Sequence, residues 1–250
     1  MSAHDLGLLV PAFLAGILVI ATHVPLGVQV LSRGIVFIDL AIAQIAGLGV
    51  LTADWLGYEP HGLAVQLSAL AAALIGALFF NWSDRRWPEV QEATIGVAFI
   101  VAASLGILLL AGNPHGGEHL KDLLVGQILW VGFDELPRVG VISTLVLTVW
   151  FGLKDRIGQI GFYLLFACAV TISVQLVGLY LVFASLIVPA LATRHLTGRR
   201  LAIAYVIGAA GYLFGLIVSA LTDLPSGAVI VCVMTLIGCI AYLLAPGVRR

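Results

Sequence analysis

Asp39 stands apart from the other acidic residues of this sequence. Of the 13 acidic residues, it is the one that lies well inside a long apolar stretch. A carboxylate in a hydrocarbon environment costs about 2.5–3.5 kcal/mol, so it normally has a partner or faces a water-filled path. The sequence leaves two interpretations open: a structural pair with Arg33 or Gln29, or a functional carboxylate.

His23 is the histidine that lies deep inside an apolar stretch. If the first two stretches form a hairpin that turns near Arg33, His23 and Gln44 lie at one depth. A neutral imidazole is a good ligand for borderline divalent metals, and a carboxamide oxygen is a weak one. His23, Asp39 and Gln44 are therefore candidates for a metal pathway, although Asp39 and Gln44 lie about 140° apart around a helix. The alternative is that His23 only forms a hydrogen bond to a neighbouring helix.

A second group of candidate ligands has the pattern H-x-x-E-H, formed by His115, Glu118 and His119. Zinc peptidases that use this pattern need both histidines on one helical face. Here the intervening residues are two glycines that follow a proline, so the segment is predicted to be a loop and a peptidase is disfavoured. The remaining interpretations are an outer loop that receives metal ions and an ordinary solvated loop.

The chain contains no phosphate-binding loop of the type G-x-x-x-x-G-K-[ST], because its lysines, Lys121 and Lys154, do not follow such a pattern. It therefore cannot bind and hydrolyse ATP in the usual way. If transport is driven by ATP, another polypeptide must supply the ATPase, and this chain is not itself an enzyme.

The composition defines the environment of these residues. Hydrophobic residues make up 61% of the 250 residues, charged residues make up 10%, and the mean hydropathy is +1.13. A soluble domain carries about 25% charged residues. The net charge of −1 gives no basic surface for nucleic acid, and the three cysteines, without C-x-x-C spacing, indicate no zinc knuckle. The sequence predicts a polytopic membrane protein, with one domain over residues 1–250.

Apolar stretches of membrane-spanning length predict an all-α transmembrane bundle. They cover residues 7–32, 34–56, 62–82, 93–112, 137–153, 158–176, 177–193, 201–221 and 226–247. No charge or turn marks the break at 176/177, so eight or nine spans are expected. Residues 120–131 are too short to cross alone and are predicted to form a half-helix or part of a bent span. The first stretch follows no basic segment, so it is predicted to be a retained span and not a signal peptide.

The basic residues predict the orientation of the bundle. If Arg33 is cytoplasmic, the other basic residues lie on that side too, except Lys121 and Arg138, provided that 120–131 does not cross. This asymmetry predicts an external N-terminus and a cytoplasmic C-terminus.

Six sequence blocks, in order along nearly the whole chain, resemble the permease subunits of zinc/manganese-type ABC transporters. They are PLGV at 25–28 with Arg33, VF at 36–37, AQ at 43–44 and GLG at 47–49; EATIGVAF at 92–99 with SLG at 104–106; LLVGQIL at 123–129; VGLYLV at 177–182; SLIVPA at 185–190; and SALTDLPSGA at 219–228. The resemblance implies a helical permease of the bacterial plasma (inner) membrane that dimerises around a central pathway. It also implies a cytoplasmic ATP-binding subunit and an extracytoplasmic metal-binding protein as partners.

The sequence departs from this family at the usual metal ligands. The family carries an acid and a histidine one turn apart on the second helix, and these positions align with Leu40 and Gln44 here. The resemblance therefore supplies no ligand pair. Asp39 and His23 lie near the vacated positions, which leads to the hypothesis that they replace it.

A second departure concerns the segment that docks on the ATPase. Relatives have a longer cytoplasmic segment, where this chain has a short charged cluster with Lys154, Asp155, Arg156 and Gly161. We expect this cluster to couple the permease to the ATPase. The rival surface is the charged segment 84–89, which is equally consistent with a solvated loop.

The resulting prediction is the permease subunit of an ATP-driven importer of divalent metal ions. Because one histidine is available and carboxylates are few, zinc is expected ahead of manganese or iron. One alternative is a proton-coupled secondary transporter that uses Asp39 as its protonatable group. Another is a siderophore- or corrinoid-type ABC permease, which is disfavoured because those permeases are usually longer.

Overall fold

The computed structural model describes residues 3–59, 62–110, 128–153, 156–196 and 198–244. Within these ranges the chain forms nine α-helices and two short 3₁₀ turns, Pro88–Val90 and Ile128–Trp130, and no strand. The helices are α1 (Ala3–Arg33), α2 (Ile38–Trp55), α3 (Leu63–Arg86), α4 (Gln91–Leu110), α5 (Leu136–Leu153), α6 (Gly158–Val177), α7 (Leu179–Ala192), α8 (Arg200–Thr222) and α9 (Ser226–Leu244). The predicted all-α bundle is confirmed.

Eight of these helices are long and apolar enough to cross a membrane. The exception is α7, whose 14 residues extend over about 21 Å, less than the hydrocarbon thickness of about 30 Å. The described helices thus comprise eight of spanning length and one short helix. Of the segment predicted to be a half-helix, residues 120–127 lie outside the described ranges, and Ile128–Trp130 forms a 3₁₀ turn.

The junction between α6 and α7 lies at Gly178, close to the break expected at 176/177. Gly178 has φ 83° and ends α6, with its N–H donating to the carbonyl of Val174. Positive φ is strained for a residue with a Cβ, so a glycine allows one helix to end and the next to begin without a loop.

Close helix packing organises the bundle. α1 packs against α5, α7 and α8; α2 packs against α3 and α4; and α8 packs against α9. Gly27 of α1 lies directly against the carbonyl oxygen of Leu186 in α7, where any Cβ would clash. Gly211 and Gly215 similarly admit Met234 and Ile230 of α9. Small residues at such contacts are typical of membrane helices, which associate by close packing.

Large apolar side chains cover the outside of several helices. On α4, for example, Ile100 is 62% exposed and Leu108 is 68% exposed. Such continuous apolar surface would be a liability in water, but it is the expected lipid-facing surface of a membrane bundle.

Candidate functional site

His23 lies in α1 with no exposed surface. Its Nδ1 is 3.0 Å from the backbone oxygen of Val19 and 3.0 Å from Oγ1 of Thr22. Because a carbonyl only accepts, the Val19 contact assigns the proton to Nδ1 and leaves the lone pair on Nε2. Nε2 is buried and has no hydrogen-bond partner among the described residues. This is the tautomer of metal-binding histidines that donate their other ring N–H to a backbone carbonyl.

The backbone beside His23 is also irregular. Pro25 lies inside α1 and has no N–H to donate to the carbonyl of Ala21. Tyr205 of α8 donates its hydroxyl to that carbonyl at 3.0 Å. A neighbouring helix thus satisfies the freed backbone group, as membrane interiors require.

Gln44 lines a cavity of about 20 Å³ between α2, α4 and the α6–α7 junction. This is enough space for about one water molecule. The lining is otherwise apolar or glycine and includes Leu48, Ala102, Gly106 and Leu179. The carboxamide of Gln44 is partly buried and forms no hydrogen bond to the described part of the chain.

The structure does not bring His23 and Gln44 together. The cavity at Gln44 has no lining residue from α1, and α1 packs mainly on helices other than α2. His23 lies ten residues before the end of α1, and Gln44 lies six residues after the start of α2. At about 1.5 Å per residue, their depths differ by about 6 Å. The described helix contacts therefore do not support the expected juxtaposition, because α1 packs mainly on α5, α7 and α8.

Asp39 lies in the first turn of α2 and is 1% exposed. Neither of its carboxylate oxygens has a hydrogen-bond partner within the described residues. The structural pair with Arg33 is therefore not formed: the Arg33 guanidinium carbon lies 4.3 Å from the ring centre of Phe162. Gln29 does not bond to the carboxylate either.

Glu92, in the first turn of α4, was not among the predicted site residues. Its Oε1 accepts the backbone N–H of Phe37 at 3.3 Å, which ties α4 to the start of α2. Its Oε2 is buried without a hydrogen-bond partner among the residues described. One sequence signal could have indicated Asp39 and Glu92 together: both acids begin helices that rise from the same side of the membrane.

A polar network joins three helices at this same end of the molecule. Tyr163 donates its hydroxyl to Asp84 at 3.0 Å, and Gln159 also donates to Asp84. Gln91 donates to the hydroxyl of Tyr163 at 3.3 Å and accepts from Ser83 at 2.9 Å. The start of α6 is thereby linked to the end of α3 and the start of α4.

The predicted coupling cluster is only partly described. Lys154 and Asp155 lie outside the described ranges. Arg156 is exposed, and Gly161 lies in the first turn of α6. Because Gln159 of α6 bonds to Asp84, the coupling cluster and its rival surface at 84–89 belong to one hydrogen-bonded unit.

The sequence did not indicate a second exposed polar cluster, which lies at the ends of α7 and α9. Arg194 lies with its Nη2 3.2 Å from the hydroxyl of Tyr242, and Nε2 of His195 is also 3.2 Å from that hydroxyl. Tyr242 is distant in sequence and uncharged, so no local pattern indicated this contact.

His115, Glu118 and His119 fall in the gap 111–127 between the described ranges. Among the residues that are described, no three His, Cys, Asp or Glu side chains come together as a metal-binding group. In particular, His23, Asp39 and Glu92 do not form a three-residue metal-binding group.

The chain matches the model of the ABC 3 transport family over residues 5–155 and 149–245. A chelated iron transport system membrane protein of Yersinia pestis is 30% identical over 221 residues, covering 79% of this chain and 73% of the relative. A manganese transport system membrane protein of Halalkalibacterium halodurans is 25% identical over 243 residues, covering 88% of this chain and 82% of the relative.

Two solved structures share the fold. PsaBC from Streptococcus pneumoniae, solved in complex with Fab, matches with a TM-score of 0.77 and 21% identity, covering 100% of this chain and 95% of that chain. A metal-chelate type ABC transporter in an inward-facing conformation matches with a TM-score of 0.71 and 14% identity, covering 94% and 86%. At these identities the likeness concerns the fold alone.

Proposed function

The chain belongs to the ABC 3 transport family, and from this premise we propose that it imports divalent metal ions across the bacterial inner membrane. It is a permease subunit and not an enzyme, because ATP hydrolysis belongs to a separate subunit. The observation that carries the proposal is the family match along almost the whole chain, on a fold with eight candidate spans. The family's partners are a cytoplasmic ATPase and an external solute-binding protein. We propose that the permease acts as a dimer.

The proposed cargo is a first-row divalent metal ion. Zinc is the prediction that the imidazole of His23 supports. The relatives are named for iron and manganese transport, and the carboxylates of Asp39 and Glu92 suit those harder metals. Zinc, manganese and iron must therefore be compared directly.

His23 is proposed as the metal-contacting residue within the membrane. Its unpaired Nε2 supports this role, because an imidazole fixed by a backbone bond presents its lone pair in one direction. His23 and Asp39 are both fully buried, so ions reach them only when the helices separate. ATP-driven closure of the ATPase would rock the helices and open the pathway alternately to each side. A small number of ligands is suitable for such a path, because tight binding would trap the ion.

Gln44 is proposed to line the pathway through its cavity, and His115, Glu118 and His119 are proposed to receive the ion at the outer mouth.

With the C-terminus in the cytoplasm, the coupling cluster at 154–161 faces the ATPase. Charge reversal by Arg156→Glu should lower ATP-driven transport and weaken copurification of the ATPase. The matched reversals Arg85→Glu and Arg194→Glu test two further exposed basic sites, on the rival segment 84–89 and beside Tyr242. If Arg85→Glu or Arg194→Glu uncouples transport and Arg156→Glu does not, the cluster at 154–161 is not the coupling element.

The decisive experiment measures uptake of radioactive zinc, manganese and iron into vesicles that contain this chain, its ATPase and its binding protein. ATP-dependent accumulation of one of these metals is the expected result. His23→Ala should lower that uptake, whereas Tyr205→Phe is a matched control that removes a hydrogen bond from the same part of α1. Uptake that follows a proton gradient and ignores ATP would instead identify a secondary transporter. Accumulation of a metal chelate but not of free ions would identify a siderophore-type permease.

A further inference from the structure

The starts of α2 and α4 hold two carboxylates without a counter-charge. Asp39 and Glu92 each lie in the first turn of their helix, and the two helices pack against each other along the bundle. The backbone bond from Phe37 to Glu92 holds the two helix starts together. The carboxyl groups of Asp39 and Glu92 therefore lie at two linked helix starts, at one end of the bundle.

Neither carboxyl group forms an ion pair within the described part of the chain. Three of the four oxygens, both from Asp39 and Oε2 from Glu92, are buried and have no hydrogen-bond partner in the described part of the chain. Arg33, the basic residue closest to them in sequence, stacks on Phe162 instead. The positive ends of the two helix dipoles favour anions there, but each supplies only a partial charge.

Buried like charges of this kind require a cation or a proton between them. We propose that Asp39 and Glu92 bind a divalent cation at the cytoplasmic end of the pathway, as a second station separate from His23. This proposal rests on the proposed function and adds Glu92 to the residues that contact the transported ion.

The chemistry of the pair indicates the class of cation. Carboxylate oxygens are hard ligands, which suit Mn²⁺ and Mg²⁺ better than softer metals. Ions of this class are commonly held by one or two carboxylates and keep several waters. Two carboxylates are therefore sufficient for a release site, although they do not form a complete cage. The pair should favour Mn²⁺ over Zn²⁺, in contrast to the imidazole of His23.

The test uses the purified full chain in lipid nanodiscs and measures Mn²⁺ binding from the loss of the free-ion EPR signal. Wild type should bind Mn²⁺, and both Asp39→Asn and Glu92→Gln should weaken binding by at least about tenfold, as loss of even outer-shell partners does. Asp54→Asn is the matched control, because it removes a carboxylate from the opposite end of α2.

Glu92→Gln keeps the test valid if Asp39→Asn fails to fold, because Glu92 is only partly buried in the first turn of a helix. Equal Mn²⁺ binding in wild type and Glu92→Gln would overturn the proposal. Absence of Mn²⁺ binding by wild type, together with an infrared band of a protonated carboxylic acid that Asp39→Asn removes, would identify a shared proton instead. Because binding is measured without ATPase or transport, either result is independent of the uptake experiment.

Discussion

His23 and the Asp39–Glu92 pair both contain buried polar atoms without hydrogen-bond partners, but for different reasons. The imidazole is neutral, its Nδ1 is bonded within its own helix, and only one lone pair is left free. The pair combines two carboxylates with three unpartnered oxygens and lies at two helix starts. An unpaired neutral nitrogen costs little compared with unpaired buried charge. An unpaired neutral nitrogen is therefore tolerated inside the bundle, whereas we propose that the carboxyl pair at the two helix starts is completed by a cation.

The largest expected effect follows from Asp39→Asn. ATP-driven metal uptake should fall by about a hundredfold, while the metal-free chain should become more stable by about 1–3 kcal/mol, because an uncompensated buried charge is removed. Vesicle uptake and thermal unfolding of the metal-free protein measure the two effects. A purely structural carboxylate would show the opposite sign of stability change, with Asp39→Asn less stable than wild type.

His23→Ala is expected to have a smaller effect on uptake, about tenfold. It should slightly destabilise the protein, because the side chain is buried and its removal leaves a cavity. Uptake at matched protein levels, with Tyr205→Phe alongside, is the appropriate measurement. Unchanged uptake in His23→Ala would remove the imidazole from the pathway and leave the carboxylate pair as the sole station.

Tyr163→Phe should have the smallest effect. Loss of the hydroxyl removes the bond to Asp84 and one bond from Gln91, which should cost about 1 kcal/mol of stability. Mn²⁺ binding at the pair should not change, because Tyr163 does not contact it. A large drop in Mn²⁺ affinity would show that the polar network and the pair act as one site.

The positions of the helices could be predicted from the sequence, but not which helices pack against each other. Apolar stretches of about 20 residues identify spans directly, and even the α6–α7 break was displaced only slightly, to Gly178. Helix neighbours leave little local signal, because packing in a membrane depends on shape and small residues. The expected contact between His23 and Gln44 depended on such neighbours, and the described helix contacts do not support it.

The two acids illustrate the same limit. Asp39 was identified because it lies inside a span, but Glu92 lies beside a charged loop and resembled an ordinary surface residue. Its importance depends on α2 and α4 packing together with both starts on one side, which is a property of the tertiary structure.

The most direct test of the account is metal uptake by the complete transporter, with and without ATP and with a proton gradient as the alternative driving force. The expected result is ATP-dependent accumulation of a divalent metal ion, which Asp39→Asn lowers by about a hundredfold and Asp54→Asn leaves unchanged. Accumulation that follows the proton gradient and is unaffected by ATP would contradict it.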